Sequence, residues 1–426
     1  MRIQTLLKGL LLPIGGTLLS FLLVPPAHAV PSFARQTGQT CAACHTAFPQ
    51  LTAFGRQFKL RAYTLSSARQ VKSKNLDIGL WAPLSMMIQT NWNHLNKAPD
   101  ASSDSSKALL PSQLSIFYAG SITDKTGAFV QVTAESGQGF SQDNTDIRFA
   151  NSGNMGIYGL SLNNNPTVQD PWNSTLAWGF PWFEAGYGYD YPHSVMGALG
   201  GAVAGLTAYG FWHNHVYTEL GAYTAVNSVG KDGPATDGGK AIKDTAPYWR
   251  LAYAQDGGTM NWEVGTFGMY MDVPTAGFAG GQDKITDAAL DGQLQWTIGA
   301  DNSVTLDGYY LHEHQTLDAT SPGASGQHLD IIKTDLTWYS HQKYGFTVGY
   351  RGARSSSGAV SSSDDITEGF AAPGKQDSDA FQVQLDYTPF LNTRFALQYT
   401  DYAKLNGTTT GASDHNQLMV GAWFLF

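Results

Sequence analysis

The sequence predicts a mainly β chain: an outer-membrane antiparallel β-barrel of about sixteen strands, preceded by a small N-terminal α-helical segment. Three observations lead to this prediction. Only 14% of the residues are charged, whereas glycine numbers 47 and aromatic residues reach 12%. Polar and apolar side chains alternate from residue 78 onward. The chain ends in Trp423-Phe424-Leu425-Phe426, and an aromatic residue that closes an alternating strand is typical of outer-membrane barrels.

Residues 1–29 have the organisation of a secretory signal peptide. Arg2 and Lys8 form the basic region, residues 10–24 are apolar, and Ala27-His28-Ala29 is a small-x-small cleavage site. We therefore predict export and removal of this segment. The formal net charge of −9 disfavours nucleic acid as a partner.

Residues 30–77 are predicted to form the helical segment, which is built around Cys41-Ala42-Ala43-Cys44-His45. The two cysteines of the chain both fall inside this pentapeptide. The spacing C-x-x-C-H is the attachment signal of a c-type haem, in which both thiols form thioethers with the vinyl groups. The histidine that follows is then the proximal iron ligand. We therefore predict one covalent haem c held by Cys41, Cys44 and His45.

Two other chemistries use a C-x-x-C pair. A structural zinc site needs four ligands, and no second Cys or His pair lies nearby in the sequence. A thioredoxin-like dithiol needs a βαβ context, and the sequence pattern predicts none. Both alternatives fit the pentapeptide less well than haem attachment.

The residues after His45 predict a short helix with one apolar face, because Phe48, Leu51, Phe54 and Phe58 recur at spacings of three and four. Fewer than fifty residues is very small for a self-standing haem domain. We therefore expect the segment to dock in the periplasmic mouth or the interior of the barrel.

Residues 78–426 are predicted to form the porin-like barrel. Phe381, Val383 and Leu385, for example, alternate with Gln382 and Gln384, as in a strand that faces lipid on one side and a wet lumen on the other. The alternative is a soluble β-sandwich or propeller, but no blade-length repeat is present. The predicted strands are 78–92, 113–122, 126–135, 145–151, 155–163, 203–211, 214–225, 247–255, 259–272, 286–298, 302–315, 329–340, 344–354, 379–388, 393–404 and 413–426.

Long and short connections alternate between these strands, as they do in barrels with long external loops and short periplasmic turns. The long ones include 95–110, 226–245, 316–328 and 355–378. Residues 164–202 differ, because they are rich in glycine and aromatic residues. We expect this stretch to fold over or into the lumen.

The sixth haem ligand is predicted less directly. Met87 has lumen-facing parity on the first predicted strand and is close in sequence to the haem segment, although a methionine in a strand is more often a packing residue. A Met ligand would raise the reduction potential relative to a second His. The competing residues are Met86, Met155, Met260, Met269, Met271, Met419 and His94.

Two histidine groups have metal-like spacing on predicted strands: His213 with His215, and His312 with Glu313 and His314. The loop carboxylates of Asp364, Asp365 and Glu368 are candidates for collecting metal cations. Residues i and i+2 of a strand share a face. A polar pair at the membrane interface or in the lumen is the favoured interpretation of the histidines, and a solvated loop that of the carboxylates.

Several short sequence motifs that follow the predicted signal peptide resemble those of a known family. They are Pro31-Ser32-Phe33-Ala34-Arg35-Gln36-Thr37-Gly38, the C-x-x-C-H pentapeptide, Phe48-Pro49-Gln50-Leu51 and Phe54-Gly55-Arg56. Together with the predicted barrel, they resemble the fused single-haem cytochrome–porins of iron-oxidising bacteria. The resemblance is specific over residues 31–61 and is one of architecture over the barrel.

The resemblance implies an outer-membrane protein that takes electrons from extracellular Fe(II) and passes them through its haem to a periplasmic carrier such as a soluble cytochrome c. The expected partners are thus Fe(II), that carrier and outer-membrane lipid. Two alternatives are an electron conduit for another extracellular donor and a passive porin whose haem is structural or sensory.

Overall fold

The computed structural model describes residues 30–67, 70–72, 77–79, 82–99, 102–137, 139–178, 181–183, 186–188, 191–226, 241–274, 282–318, 325–359, 375–390 and 392–426. The predicted signal peptide lies outside these residues. No helix in the described ranges is long and apolar enough to cross a membrane.

The N-terminal part contains three short helices and a small hairpin. The helices are α1 (Pro31–Thr37), α2 (Cys41–Cys44) and α3 (Ala53–Leu60). Strands β1 (Gln70–Lys72) and β2 (Asp77–Gly79) pair with each other and not with the barrel. The predicted boundary at residue 77 therefore falls inside β2, and the first barrel strand begins later than predicted.

Sixteen antiparallel strands form a closed barrel, as predicted. Each strand pairs with its neighbours in sequence, and the last strand closes the ring against the first. The strands are β3 (Leu84–Leu95), β4 (Ser106–Ser121), β5 (Thr126–Glu135), β6 (Phe140–Gly153), β7 (Gly156–Asn163), β8 (Val203–Trp212), β9 (Val216–Ala225), β10 (Ala246–Gly257), β11 (Met260–Pro274), β12 (Gln282–Ile298), β13 (Asn302–Thr316), β14 (Ser325–Ser340), β15 (Tyr344–Ser355), β16 (Ser378–Phe390), β17 (Thr393–Lys404) and β18 (Gln417–Leu425).

The outer surface of the barrel is apolar. Successive side chains along each strand point alternately to this outer surface and to the lumen. Phe381 and Leu385 on β16 are half exposed, whereas Gln382 and Gln384 between them are buried in the lumen. Leu220 on β9 is 70% exposed and Leu290 on β12 is 63% exposed. In water such a belt would be unfavourable, but in a bilayer it meets hydrocarbon. The closed ladder also leaves no strand edge unpaired in lipid. The chain therefore spans the outer membrane.

Some predicted boundaries were wrong. Strand β4 begins at Ser106, so residues 106–110 belong to the sheet and not to the predicted connection 95–110. The last strand begins at Gln417, because a short 3-10 helix occupies Ala412–His415. The short turns that follow the predicted strands 247–255 and 329–340 are present, and they contain Gly258 and Gln342, which both have positive φ.

The described part of the inserted segment, residues 164–202, lies in the lumen, as expected. It leaves the wall after β7 and reaches strands β13, β14 and β16 across the barrel. Trp182 Nε1 donates to Asp335 Oδ1 at 2.6 Å, Tyr191 Oη donates to the Ser378 carbonyl at 3.0 Å, and the Val195 amide donates to a Glu313 oxygen at 2.6 Å. The segment thus connects opposite walls of the barrel and fills part of the pore.

Candidate functional site

The cysteine pair lies on a single helical turn that folds against the start of α3. The His45 amide donates to the Cys41 carbonyl at 2.7 Å, and the Thr52 amide donates to the Cys44 carbonyl at 2.8 Å. Thr52 caps α3 by accepting a hydrogen bond from the Gly55 amide at 3.1 Å. A side chain at Gly55 would collide with the Cys44 carbonyl oxygen, so glycine permits this close approach.

Helix α3 differs from its prediction. It begins at Ala53, after the Thr52 cap, so Phe48 and Leu51 precede it, and Phe54 is 38% exposed. The buried residues of the helix instead include Arg56, Phe58 and Lys59. Phe48, Leu51 and Phe58 nevertheless line a common cavity, so the prediction was wrong for Phe54 and for the start of the helix.

His45 leaves the turn with its ring among aromatic side chains. Its ring centroid lies 4.9 Å from that of Phe48, which lies 4.5 Å from that of Trp423 on β18. Burial lowers the pKa of His45 to about 4, although the main-chain groups of Gln50 and Pro49 act in the opposite direction. Nδ1 is buried and has no hydrogen-bond partner among the described residues. At neutral pH the ring is neutral, which is the form in which a histidine binds a metal.

A cavity of about 330 Å³ adjoins His45. Its volume lies in the range of small-molecule and cofactor sites. Cys44 and Met87 also line it. The apolar part of the wall comes from α1, α3, the inserted segment and several strands, and includes Phe33, Phe48, Leu51, Phe58, Phe117, Phe129, Trp178, Trp182, Phe183, Trp423 and Leu425.

A second cavity of about 90 Å³ lies on the other side of His45, and Cys41 lines it. The two cavities share His45, Phe48 and Trp423. The two cysteines of the pentapeptide therefore line adjoining cavities that have His45 in common, and we call the two cavities together the recess.

The N-terminal segment, residues 30–67, is held in the barrel mouth at the end with the short turns. Arg56 donates to Gln295 Oε1 at 2.9 Å and forms an ion pair with Asp256. Gln50 Nε2 donates to Asp307 Oδ2 at 2.7 Å on β13, the neighbour of β12. These contacts join the segment to one stretch of the wall, formed by β10, β12 and β13.

A second set of contacts fixes the C-terminal end of α3. Tyr63 Oη donates to Asp146 Oδ2 at 2.6 Å, and Tyr209 Oη donates to the Leu60 carbonyl at 2.8 Å. On β5, a side chain at Gly127 would collide with the Ala62 carbonyl oxygen, so this wall also needs a glycine. Short turns face the periplasm in outer-membrane barrels. The expected docking in the periplasmic mouth is therefore observed for residues 30–67.

Lys59 connects the N-terminal segment to the inserted segment. Its Nζ donates to the Val168 carbonyl at 2.8 Å, the Asp170 carbonyl at 2.6 Å and Asn173 Oδ1 at 2.8 Å. Three acceptors match the three N–H bonds of an ammonium group. Burial and, to a smaller extent, the charge of Arg148 lower the pKa of Lys59 to about 7, against the opposing effect of three nearby carboxylates. Sequence patterns did not identify this residue, because a lysine on a short helix is normally solvated.

Among the proposed sixth ligands, Met87 lines the cavity beside His45 and is 5% exposed. Gln89 Nε2 lies 3.6 Å from its sulfur atom. The competing residues lie elsewhere. Met155 and Met260 are exposed near short turns, and Met86 and His94 point to the outer face of the barrel. Met269 and Met271 pack in a separate core cluster. Met419 is buried but does not line the cavity.

The histidine pairs do not form metal sites. His213 and His215 are exposed at the short turn between β8 and β9 and not within a strand, which corrects their predicted placement. His312 and His314 face outward on β13, whereas Glu313 between them is buried in the lumen. Asp364, Asp365 and Glu368 lie outside the described residues. Within the described ranges, no group of three or more His, Cys, Asp and Glu residues is arranged to hold a metal ion.

The recess fits a c-type haem on its own geometry. It combines two cysteines, a neutral histidine with a buried unpartnered nitrogen, and an aromatic wall. A second buried donor, Trp423 Nε1, also has no partner in the described part of the chain. An apolar planar group with polar edges would satisfy both the wall and these atoms.

The comparisons with known proteins concern the barrel. No protein-family model and no curated protein sequence matches this chain. The chain resembles a solved structure of Salmonella typhi OmpF in complex with daunomycin, with 12% identity, 84% of this chain and 100% of that chain covered, and a TM-score of 0.52. In-vitro folded OmpT of Vibrio cholerae gives 12% identity, the same coverage and a TM-score of 0.48. The outer membrane channel DcaP of Acinetobacter baumannii gives 11% identity, 84% and 99% coverage, and 0.48. The similarity to OmpF is one of barrel fold.

Replacing Lys59 with Met should loosen the N-terminal segment from the barrel. The change leaves the Asp170 carbonyl and Asn173 Oδ1 without the donor that Lys59 supplies, at a cost of about 1–3 kcal/mol each, whereas the Val168 carbonyl keeps a hydrogen bond from Trp178 Nε1. Limited proteolysis in native membranes should then cleave residues 30–67 faster than in the unmodified protein. Lys125→Met, which alters an exposed lysine at the same mouth, is the control. Equal cleavage rates in the two variants would show that Lys59 does not hold the segment.

Proposed function

We propose that this chain is an outer-membrane c-type cytochrome–porin that oxidises extracellular Fe(II) and passes the electrons through one covalent haem to a periplasmic carrier. The observation that carries the proposal is the C-x-x-C-H turn in the barrel mouth, with His45 facing an aromatic cavity. The similarity of the sequence motifs in residues 31–61 to those of the cytochrome–porins of iron-oxidising bacteria supports the same conclusion.

In this proposal Cys41 and Cys44 would hold the haem covalently, and His45 and Met87 would bind its iron. When bound, the haem supplies a one-electron acceptor whose potential depends on axial ligands and local polarity. The aromatic wall excludes water, and the hydrogen bonds of Lys59 and Arg56 hold the histidine turn in place.

The proposed reaction is a single electron transfer. Each Fe(II) ion loses one electron and becomes Fe(III) outside the cell, and a soluble carrier gains one electron in the periplasm. Iron(III) oxides are insoluble at neutral pH, so keeping the metal outside prevents precipitation in the cell. The protein positions the reactants and tunes the potential, and no bond of an organic substrate is broken.

The filled lumen favours an electron-transfer function over a passive pore. The haem segment crosses one mouth, and the inserted segment contacts it through Lys59 and also through Asn173, whose Nδ2 donates to the Pro49 carbonyl at 2.9 Å. An open solute channel needs a continuous water-filled path, whereas electrons need only short distances between redox groups. A covalent redox cofactor is also unnecessary in a passive pore.

Covalent haem attachment is tested by replacing both cysteines with alanine. The full-length protein should keep a haem stain on a denaturing gel, and the Cys41→Ala, Cys44→Ala variant should lose it, because both thioether bonds are gone. Ala42→Ser, within the same turn, should keep the stain. Stain that persists in the double variant would refute covalent attachment.

The role of Met87 is tested by potentiometry of the purified protein. Met87→Ala should lower the midpoint potential by on the order of 0.1 V, because loss of a thioether ligand removes its stabilisation of ferrous iron. Met419→Ala alters a buried methionine of the same core cluster that does not line the cavity, and it should leave the potential nearly unchanged. Equal shifts in the two variants would mean that Met87 acts by packing alone.

The reaction itself is tested by anaerobic addition of Fe(II) to the oxidised protein. The spectrum of reduced haem should appear, with one haem reduced for each Fe(II) consumed. The Cys41→Ala, Cys44→Ala protein should show no such change. A haem that other one-electron donors reduce but Fe(II) does not would indicate a conduit for a different donor.

A further inference from the structure

The cavity beside His45 changes in character along the inner wall formed by β3, β4 and β5. Near the short-turn end, each strand contributes one apolar side chain to it: Met87, Phe117 and Phe129. Towards the long-loop end, the same strands contribute polar side chains: Gln89, Gln113, Gln131, Thr133 and Glu135.

Strand register establishes that these are successive levels of one wall. Gln89 lies opposite Gln113, and Gln113 lies opposite Glu135. Gln89 Nε2 donates to Gln113 Oε1 at 2.7 Å. The polar residues therefore continue outward from Met87 as a connected surface.

Strand β6 completes the polar wall near the outer end of the barrel. Ser141, Gln142, Asp143 and Asn144 line the same cavity. Asp143 accepts a hydrogen bond from Thr133 Oγ1 at 2.9 Å. We call this outer part of the cavity, formed by the polar residues of β3 to β6, the polar arm.

The polar arm carries negative charge only. Glu135 and Asp143 are its charged residues, whereas Lys59 and Arg394 line the inner part of the cavity. Arg394 donates to Asp386 Oδ1 at 2.8 Å and to the Pro181 carbonyl at 2.7 Å, so its charge is neutralised there. Carboxylates in a cleft with protein walls concentrate their field and attract cations.

The inner end of the cavity also points to a ligand. Trp423 is 8% exposed, lines both cavities and has an unpartnered indole N–H among the described residues. The cavity thus has an apolar end, which suits a planar group, and an acidic, oxygen-lined arm. The arm extends from the apolar end towards the outer side of the barrel.

We propose that the polar arm is the passage through which hydrated divalent cations approach the haem from outside, with Glu135 and Asp143 attracting them. The proposal rests on the electron-transfer function above and specifies where its substrate travels. Carboxylate, amide and hydroxyl oxygens suit hard divalent cations that keep bound water. The route passes along the polar residues of β3 to β6 that line the cavity.

Thiol labelling of Gln113→Cys in intact cells tests the passage without using the redox reaction. A cationic methanethiosulfonate reagent should label this position faster than an anionic one. In a Glu135→Gln, Asp143→Asn background the cationic rate should fall about ten-fold at low ionic strength, and the difference should shrink at high salt. The matched control is Asp104→Asn, Asp318→Asn, which removes two carboxylates near the same end that do not line the cavity. Ser141→Trp should slow both reagents by obstructing the arm.

Reduction of the haem by hexaammineruthenium(II) gives a second readout with a cation that is not iron. Its rate should show the same dependence on Glu135 and Asp143. If labelling and reduction are unchanged in the double variant and in Ser141→Trp, the passage is refuted while Fe(II) oxidation can still stand. If Fe(II) fails to reduce the haem but both cationic probes depend on the arm, the iron-oxidising function is refuted and the passage is supported.

Discussion

The candidate site depends on closure of the barrel between its first and last strands. In that ladder Leu425 lies opposite Met87 and Trp423 lies opposite Gln89. Closure is imposed by the membrane, because a strand edge left unpaired in hydrocarbon would expose a row of unsatisfied amide groups. The same closure brings the C-terminal aromatic residues to the mouth where the N-terminal segment docks. The cavity beside His45 is thus built by both ends of the chain, and neither end could form it alone.

The lumen explains why the N-terminal segment is an integral part of the fold. Arg148 is buried, pairs with Asp146 at 2.7 Å and donates to the Lys59 carbonyl at 3.2 Å. Arg250 is buried against Asp170 of the inserted segment at 3.0 Å. A buried charge that loses a partner is costly, on the order of 3–5 kcal/mol. Arg148 therefore ties the N-terminal segment to β6 through the Lys59 carbonyl, Arg250 ties the inserted segment to β10 through Asp170, and Lys59 ties the segments to each other.

The features that the sequence could predict are those with short-range signatures. Alternation gave the sixteen strands and the inward parity of Met87, and five adjacent residues gave the Cys41–His45 turn. Arg56 and Lys59 could not be predicted as buried, because their partners lie 100 or more residues away on strands and in the inserted segment. The exposure of Phe54 could not be predicted either, because helical periodicity identifies an apolar face but not the surface against which that face packs. The polar arm required strand register, which places Gln113 and Glu135 side by side.

The two ends of the cavity suit opposite requirements of the proposed reaction. A dry aromatic wall lets the axial ligands set the haem potential, because few water dipoles respond to the change in charge. A substrate ion instead needs a polar, hydrated environment. A rigid site that bound iron directly would hold the product Fe(III) more tightly than Fe(II), because Fe(III) has the higher charge. Release of the product would then become slow. In the proposed passage, Gln89, Gln113 and Ser141 offer neutral amide and hydroxyl groups, which would leave the hydration shell of the ion in place and let the oxidised ion leave by the route along which it entered.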